Sequence, residues 1–204
     1  MAIIFLVRHG QNGMVGKKLV GRLPGVHLNE QGQAQARCLA EKFSQLPLKA
    51  IYASPLERAQ ETAAPIAGVH NLPVEIHPGL LEIDFGGWQG KRLKRLKQGR
   101  LWKAVQGSPA EFRFPNGESF LEAQQRMTAA LFALDEKCGE NDMVVCVSHS
   151  DMIRLAVAHF LGLPLDHFQR LRIETASVTL LNLHAGKASF GPINLTFDFP
   201  EEMY

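Results

Sequence analysis

Ile3–Val7 (IIFLV) is a run of apolar, partly β-branched residues, and Arg8, His9 and Gly10 follow it directly. Such a run predicts a buried first strand. In open α/β sheets, ligands bind in the crevice at the carboxyl ends of the strands. A neutral imidazole there can act as a nucleophile, and the planar guanidinium beside it can hold phosphate oxygens. On the tripeptide alone, a histidine that only caps a loop is an equally good interpretation.

The composition is that of an ordinary globular protein: 46% of the 204 residues are hydrophobic, 21% are charged, and the formal net charge is +2. This small charge gives little steering towards nucleic acid or membranes. The cysteines Cys38, Cys138 and Cys146 are odd in number and lack C-x-x-C spacing, which predicts reduced thiols. The first apolar run is too short for a signal peptide, and no window holds the roughly 18 apolar residues of a membrane span. We therefore expect a cytoplasmic protein.

Strands and helices alternate along the chain. The predicted strands are 3–7, 48–53, 73–76, 143–147 and 177–183, and the predicted helices are 29–46, 54–67, 119–137 and 150–162. Asn29, Ser54 and Ser119 are the expected N-caps, with Pro55 at the first position of the second helix. The alternation predicts a three-layer α/β/α sandwich, in which the central sheet is mostly parallel and the last strand lies antiparallel at an edge.

Repeated glycines and two prolines interrupt the chain between Pro78 and Asn116. We interpret residues 1–204 as a single domain in which an insert, about residues 78–118, folds over the sheet as a lid. Short helices are predicted within it near 92–98 and 101–105. The aromatic residues of the tail, Phe197, Phe199 and Tyr204, either pack on the core or reach a partner subunit, so a homodimer stays open.

Three of the predicted strands end in residues that suit a phosphate group. The first ends in Arg8 and His9, and the second is followed by Arg58 in the first turn of a helix, where unpaired N–H groups favour an anion. The fourth is followed by His149. Taken singly, Arg58 is more typical of a surface arginine and His149 of a structural histidine. Their meeting at one edge of the sheet predicts a phosphate site.

Phosphoryl transfer to His9 also requires a proton donor for the departing oxygen. Glu82 is the preferred candidate, because its apolar neighbours would raise the pKa of its carboxyl by desolvation. Asp84 is the competitor, on the other side of an extended backbone. The alternative is that Glu82 is a solvent-facing carboxylate in a turn.

Four motifs, in this order, resemble the histidine phosphatase superfamily: LVRHG (6–10), SPLERAQETA (54–63), LLEIDFGGWQG (80–90) and VSHSDMIR (147–154). The resemblance covers residues 3–183 and is closest to the branch of the cofactor-dependent phosphoglycerate mutases and their phosphatase relatives. It implies that His9 forms a phosphohistidine, that Glu82 is the general acid and then the base, and that Arg8, Arg58 and His149 hold the phosphoryl oxygens. It further implies that fixed cations, rather than a metal or a cofactor, offset the charge.

Gly10, Asn12 and Ser150 are expected to complete the substrate-binding set. Asn12 stands where many relatives have serine or threonine, and Ser150 replaces a glycine that is common after the second histidine. Val15 stands where mutases usually carry an asparagine, and the paired arginines of the mutase insert are missing. Residues 21–36 (GRLPGVHLNEQGQAQA) resemble small bacterial phosphatases.

The expected function is therefore that of a metal-independent phosphatase acting on a small-molecule phosphate ester, without nucleic acid or membrane partners. A cofactor-dependent phosphoglycerate mutase is the first alternative, and a non-catalytic module that binds phosphorylated ligands is the second. The basic run from Lys91 to Lys103 is either an electropositive lid or a solvated helix face. The sequence does not identify the substrate.

Overall fold

A computed structural model describes residues 2–197 and contains a six-stranded sheet in the order β3-β2-β4-β1-β5-β6. The strands are β1 (Ala2–Arg8), β2 (Leu48–Ala53), β3 (Val74–Ile76), β4 (Met143–Ser148), β5 (Val178–His184) and β6 (Lys187–Phe190). The first four run parallel, whereas β5 pairs antiparallel with β1 and β6 antiparallel with β5. The predicted sheet, mostly parallel with an antiparallel end, is confirmed.

The outermost strand, β6, was not predicted from the sequence. It follows β5 through a two-residue turn in which Ala185 and Gly186 both have positive φ angles, 47° and 80°. Such a turn suits a β-hairpin, but its usual sequence signal is Asn-Gly or Asp-Gly. Alanine in the first position hides the signal, and the short strand after it has no apolar run. The edge of the sheet is therefore β6, and β5 lies one position inside it.

Helices cover both faces of the sheet. They are α1 (Glu30–Phe43), α2 (Glu57–His70), α3 (Leu93–Leu96), α4 (Arg100–Gly107), α5 (Phe120–Lys137) and α6 (Ser150–Phe160). In β4, Val145 and Val147 face α1 and α2, whereas Val144 and Cys146 face α5 and α6. This alternation follows from the two-residue period of a strand. It buries both sides of β4 and produces the predicted three layers.

The start of α2 differs from the prediction. The helix begins at Glu57 with Leu56 as its N-cap, not at Ser54 and Pro55. The Ser54 hydroxyl accepts the Leu56 N–H at 3.4 Å and lies 2.8 Å from Nε2 of His149. The hydroxyl thus lies at the carboxyl ends of the parallel strands, beside His149, and Arg58 stays in the first turn of the helix.

The segment from Pro78 to Glu118 lies against α5 through a cluster of aromatic rings. Trp88 and Phe114 have ring centroids 5.5 Å apart, and Phe114 and Phe120 have centroids 5.2 Å apart. All three side chains are buried. The two short helices predicted in this segment are present as α3 and α4, with shifted ends. The segment therefore contributes to the core and is not a solvated loop.

Phe197 packs against the core beneath α1 and α2, and its ring centroid lies 5.7 Å from Nζ of Lys42. The other two aromatic residues of the tail, Phe199 and Tyr204, lie outside the described residues. Within residues 2–197, every helix is too short or too polar to cross a membrane.

The N-terminus of α5 carries a reciprocal cap that permits a stability prediction. Ser119 Oγ accepts the N–H of Glu122 at 3.2 Å, and the Glu122 carboxylate accepts the N–H of Ser119 at 2.9 Å. Losing such a cap costs about 1 kcal/mol. We expect Ser119→Ala to lower the free energy of unfolding by this amount in urea denaturation. Ser108→Ala is the control, because Ser108 makes no side-chain cap, and equal effects of the two changes would contradict the prediction.

Candidate active site

The carboxyl ends of β1, β2 and β4 bring His9, Arg58 and His149 together. The ring centroids of the two histidines are 5.2 Å apart, and Nη2 of Arg58 lies 3.3 Å from Nδ1 of His149. The three residues are only 5%, 2% and 0% exposed. A buried guanidinium without a carboxylate bound to it is costly. A positive charge therefore lies beside two imidazoles at the carboxyl ends of these strands.

The imidazole of His9 has a defined tautomer. Its Nδ1 lies 2.8 Å from the carbonyl oxygen of Gly10, and because a carbonyl can only accept, Nδ1 carries the hydrogen. Nε2 is left with its lone pair. Burial lowers the pKa of His9 well below its usual value, and the charges of Arg58 and Arg8 lower it further. At neutral pH the ring is uncharged and nucleophilic at Nε2.

His149 is held in the opposite tautomer. Its Nδ1 accepts from Arg58, which can only donate, so Nε2 carries the hydrogen and donates to Ser54 Oγ at 2.8 Å. Burial, followed by the charge of Arg58, lowers the pKa of His149 well below its ordinary value. Ser54 was not predicted to be a site residue, because a serine followed by proline is typical of a helix N-cap.

The two arginines each keep a buried donor unused. Arg58 donates from Nη2 to the Gly21 carbonyl at 2.8 Å, and Arg8 donates from Nη1 to the Ile173 carbonyl at 2.7 Å. Arg58 Nη1 and Arg8 Nε are buried and have no hydrogen-bond partner among residues 2–197. Buried polar groups are rarely left unpaired, because each costs roughly 1–3 kcal/mol. An anion at this edge would satisfy both N–H groups.

Glu82 lies beside this cluster, with Oε2 4.0 Å from Nδ1 of His149. Burial raises the pKa of the Glu82 carboxyl to about 7, the nearby Asp151 carboxylate adds to the rise, and the Ile83 N–H opposes it. A carboxyl that titrates near neutrality is suited to give and take a proton. The competing carboxylate, Asp84, accepts the Gly86 N–H at 2.8 Å instead. Of the two acids, Glu82 is therefore the one placed beside a histidine of the site.

Three charged residues that the sequence analysis missed hold the backbone of Glu82 in place. Its carbonyl accepts from Nε of Arg22 at 2.8 Å and from Nη2 of Arg126 at 3.3 Å. The Glu118 carboxylate pairs with both arginines, at 2.9 and 3.0 Å, and also accepts the Asp84 N–H. The three come from a loop, helix α5 and the end of the 78–118 segment. No local pattern connects them, so only the folded chain reveals this clamp.

The remaining predicted residues, Gly10, Asn12 and Ser150, form hydrogen bonds with other groups of the protein. The Gly10 N–H donates to Thr62 Oγ1 at 2.9 Å, and a Cβ at this position would lie 2.7 Å from the Gly32 carbonyl oxygen. Asn12 Oδ1 accepts two N–H groups of its own turn, and Ser150 Oγ donates to the Ile173 carbonyl at 3.3 Å. Direct contact of Gly10, Asn12 and Ser150 with a substrate stays a prediction.

The chain is similar to known phosphatases and mutases over nearly its whole length. Residues 4–196 match the model of the histidine phosphatase superfamily (branch 1). Phosphoserine phosphatase 1 of Hydrogenobacter thermophilus is 30% identical over 204 residues, which cover 96% of this chain and 93% of that protein. The 2,3-bisphosphoglycerate-dependent phosphoglycerate mutase of Thermoplasma acidophilum is 29% identical over 198 residues, with coverages of 96% and 95%.

Among solved structures, the mycobacterial glucosyl-3-phosphoglycerate phosphatase superposes with a TM-score of 0.86 at 25% identity, covering 95% of this chain and 99% of that one. The similar proteins therefore include both phosphatases and mutases. Their names also differ in the substrate.

Proposed function

Because the chain belongs to the histidine phosphatase superfamily (branch 1), we propose that it hydrolyses small-molecule phosphate monoesters through a phosphohistidine on His9. The observation that supports this most is the uncharged, buried imidazole of His9 with its Nε2 lone pair next to the charges of Arg8 and Arg58. A cytoplasmic location and the absence of any cofactor requirement are parts of the same proposal.

In the first step, Nε2 of His9 attacks phosphorus, and the bond between phosphorus and the ester oxygen breaks. The departing oxygen takes the proton of Glu82, so the leaving group is an alcohol and not an alkoxide. The unused donors of Arg8 and Arg58 bind the phosphoryl oxygens, where charge develops. His149 holds the Arg58 guanidinium at this place, because its Nδ1 accepts from Nη2 of Arg58.

In the second step, water attacks the phosphohistidine. The Glu82 carboxylate, left without its proton by the first step, takes a proton from this water. The new P–O bond forms as the bond from phosphorus to Nε2 breaks, which releases inorganic phosphate and restores the neutral ring of His9. A Glu82 pKa of about 7 suits both duties, because both forms of the carboxyl are populated at neutral pH.

A phosphoglycerate mutase is the second candidate, and its support is the similarity to the Thermoplasma acidophilum mutase. A mutase must protect the phosphohistidine from water and return the phosphoryl group to another hydroxyl. Val15, where mutases usually carry an asparagine, favours the phosphatase.

The test is to assay the purified protein, with a chelator present, against a panel of phosphate monoesters and to measure inorganic phosphate. We expect steady phosphate release. Isomerisation of phosphoglycerate that is stimulated by a bisphosphoglycerate and releases little phosphate would support the mutase instead. Tight binding of phosphorylated metabolites without any turnover would contradict both and support a non-catalytic module.

The clamp on the Glu82 backbone gives a separate prediction. Glu118→Gln weakens the ion pairs to Arg22 and Arg126, so the Glu82 carboxyl loses its fixed position. Because small displacements of a catalytic group can cost up to about 100-fold, we expect kcat for alkyl phosphates to fall by roughly 10- to 100-fold, with a smaller change in KM. The pH profile should also shift from its midpoint near 7. The control is Glu111→Gln at an exposed position, and a normal pH profile for Glu118→Gln would contradict the prediction.

A further inference from the structure

A single peptide group joins the side chain of Gln89 to that of Arg58. The carbonyl oxygen of Gly21 accepts from Nη2 of Arg58 at 2.8 Å, and the N–H at the other end of this peptide group, which belongs to Arg22, donates to Oε1 of Gln89 at 2.6 Å. The peptide is trans, so its C=O and N–H point in opposite directions and can only turn together. The acceptor on Gln89 therefore limits how far the carbonyl that holds Arg58 can turn.

The backbone at this place has little stiffness of its own. Gly21 has a φ angle of 59°, in the left-handed region that glycine adopts without strain. A Cβ at this position would lie 2.6 Å from Oε1 of Gln89, so the close approach of Gln89 itself requires the glycine. The same lack of a Cβ allows the peptide plane after Gly21 to rotate easily. A partner on the N–H of Arg22 is what keeps this plane in one orientation.

The backbone of Gln89 is anchored close to the contact. Its own N–H donates to the Gly86 carbonyl at 3.1 Å, and the next N–H along the chain, that of Gly90, donates to the Leu19 carbonyl at 2.7 Å. Leu19 lies two residues before Gly21, so the two segments are joined directly beside the peptide group. The side chain of Gln89 thus extends from a fixed point.

The direction of the Gly21 carbonyl matters because it engages one of the two hydrogens on Nη2 of Arg58. The other hydrogen faces Nδ1 of His149 at 3.3 Å. With both hydrogens engaged, the planar guanidinium keeps one orientation. Its Nη1, which is buried and unpaired within the described residues, is then held in one direction. In the proposed reaction this is the group that binds a phosphoryl oxygen.

The side chain of Arg22 is held independently of Gln89. Its Nε donates to the Glu82 carbonyl at 2.8 Å, and its Nη2 pairs with the Glu118 carboxylate at 2.9 Å. Loss of the Gln89 oxygen leaves these two contacts in place. The loss therefore falls on the Gly21 carbonyl and on Arg58, and not on the acid Glu82.

We propose that Gln89 is a positioning residue of the phosphate site: it fixes the plane of the Gly21–Arg22 peptide and, through it, the direction in which Arg58 presents Nη1 to the phosphoryl group. The inference rests on the proposed phosphatase function and adds to it a residue that acts through Arg58. Because all phosphate monoesters share the phosphoryl group, the contribution of Gln89 is the same for every leaving group. The contribution of Glu82, in contrast, depends on the leaving group.

The first experiment compares Gln89→Met with Gln89→Glu. Methionine keeps the length of the side chain but lacks the carbonyl oxygen, whereas glutamate keeps an oxygen that accepts the N–H of Arg22. The dissociation constant of inorganic phosphate is measured by calorimetry, which requires no turnover. We expect it to rise at least about 10-fold in Gln89→Met, as for the loss of a hydrogen bond to a charged group, and to stay within about 3-fold in Gln89→Glu.

The second experiment measures kcat/KM for n-propyl phosphate and for 4-nitrophenyl phosphate. In Gln89→Met both values should fall by roughly 10- to 100-fold and by the same factor, because a displaced phosphate ligand affects both esters alike. Gln89→Glu should restore both. The matched control is Gln98→Met, since Gln98 is exposed just after α3, and it should leave phosphate binding and both kcat/KM values unchanged.

The possible results separate the two proposals. Unchanged phosphate binding in Gln89→Met, or a loss that Gln89→Glu does not restore, would overturn the role of Gln89. A loss confined to n-propyl phosphate would place the effect on Glu82 and overturn it as well. If Gln89→Met does not fold, Gln89→Asn, whose amide is one methylene shorter, tests the same contact. If the unmodified protein hydrolyses neither ester, the proposed function fails, and phosphate binding still decides the role of Gln89.

Discussion

His9→Asn is expected to lower kcat by at least about 10⁴-fold and to prevent the formation of any phosphoenzyme. The asparagine amide can still donate to the Gly10 carbonyl, which now accepts from Nδ1 of His9 at 2.8 Å. It has no lone pair comparable to that of Nε2. The change therefore removes the nucleophile and disturbs the packing of the buried site very little.

The measurement is a rapid quench without acid after mixing with a radiolabelled phosphate ester, because phosphohistidine is unstable in acid. The unmodified protein should carry label on His9, and His9→Asn should carry none. His184→Asn is the matched control, since His184 is exposed at the end of β5, and it should retain full labelling. Normal turnover in His9→Asn would exclude the phosphohistidine mechanism.

Glu82→Gln is expected to have the second-largest effect, and one that depends on the leaving group. Glutamine keeps an oxygen for the Ile83 N–H, which Glu82 Oε1 accepts at 3.0 Å, but it has no acidic proton. Alkyl phosphates should react about 10²- to 10⁴-fold more slowly, the usual contribution of a general acid. For 4-nitrophenyl phosphate, whose leaving group departs as a stable anion, the loss should be below about 10-fold.

The acid role of Glu82 also predicts how the rate for alkyl phosphates depends on pH. The protonated carboxyl is the acid, and its pKa is raised to about 7, chiefly by burial. The fraction of protonated Glu82 falls as the pH rises through this value, so the single-turnover rate for alkyl phosphates should decline above about pH 7. In Glu82→Gln this decline should disappear. The control is Glu75→Gln at an exposed position of β3, and equal losses for alkyl and nitrophenyl esters would argue against an acid role.

The parts of the fold that were predicted well have strong local signals. The apolar runs of β1 and β4 mark buried strands, and Asn29 and Ser119 cap their helices through their own side chains. The parts that were missed depend on partners elsewhere in the chain. The strand β6 exists because it pairs with β5, and the hydroxyl of Ser54 bonds to His149, 95 residues away, instead of beginning α2.

The candidate site shows the same division. The sequence predicts that three residues meet at the carboxyl ends of the strands, because parallel strands present these ends together. The three residues are His9, Arg58 and His149. The clamp of Arg22, Arg126 and Glu118 could not be predicted. These residues are far apart in sequence. The group that they hold is a backbone carbonyl, which every residue has, so the residue type does not indicate it.

The chemical groups at the ends of the strands can be identified from residue order alone, because strand and helix patterns are short-range properties of neighbouring residues. The fold sets their states: which nitrogen of each imidazole carries the hydrogen, and how far burial raises the pKa of the Glu82 carboxyl. It also forms an aromatic cavity at the 78–118 segment. Protonation depends on burial and on charges acting through space, and a cavity depends on how distant segments pack. Neither quantity is defined until the chain has folded.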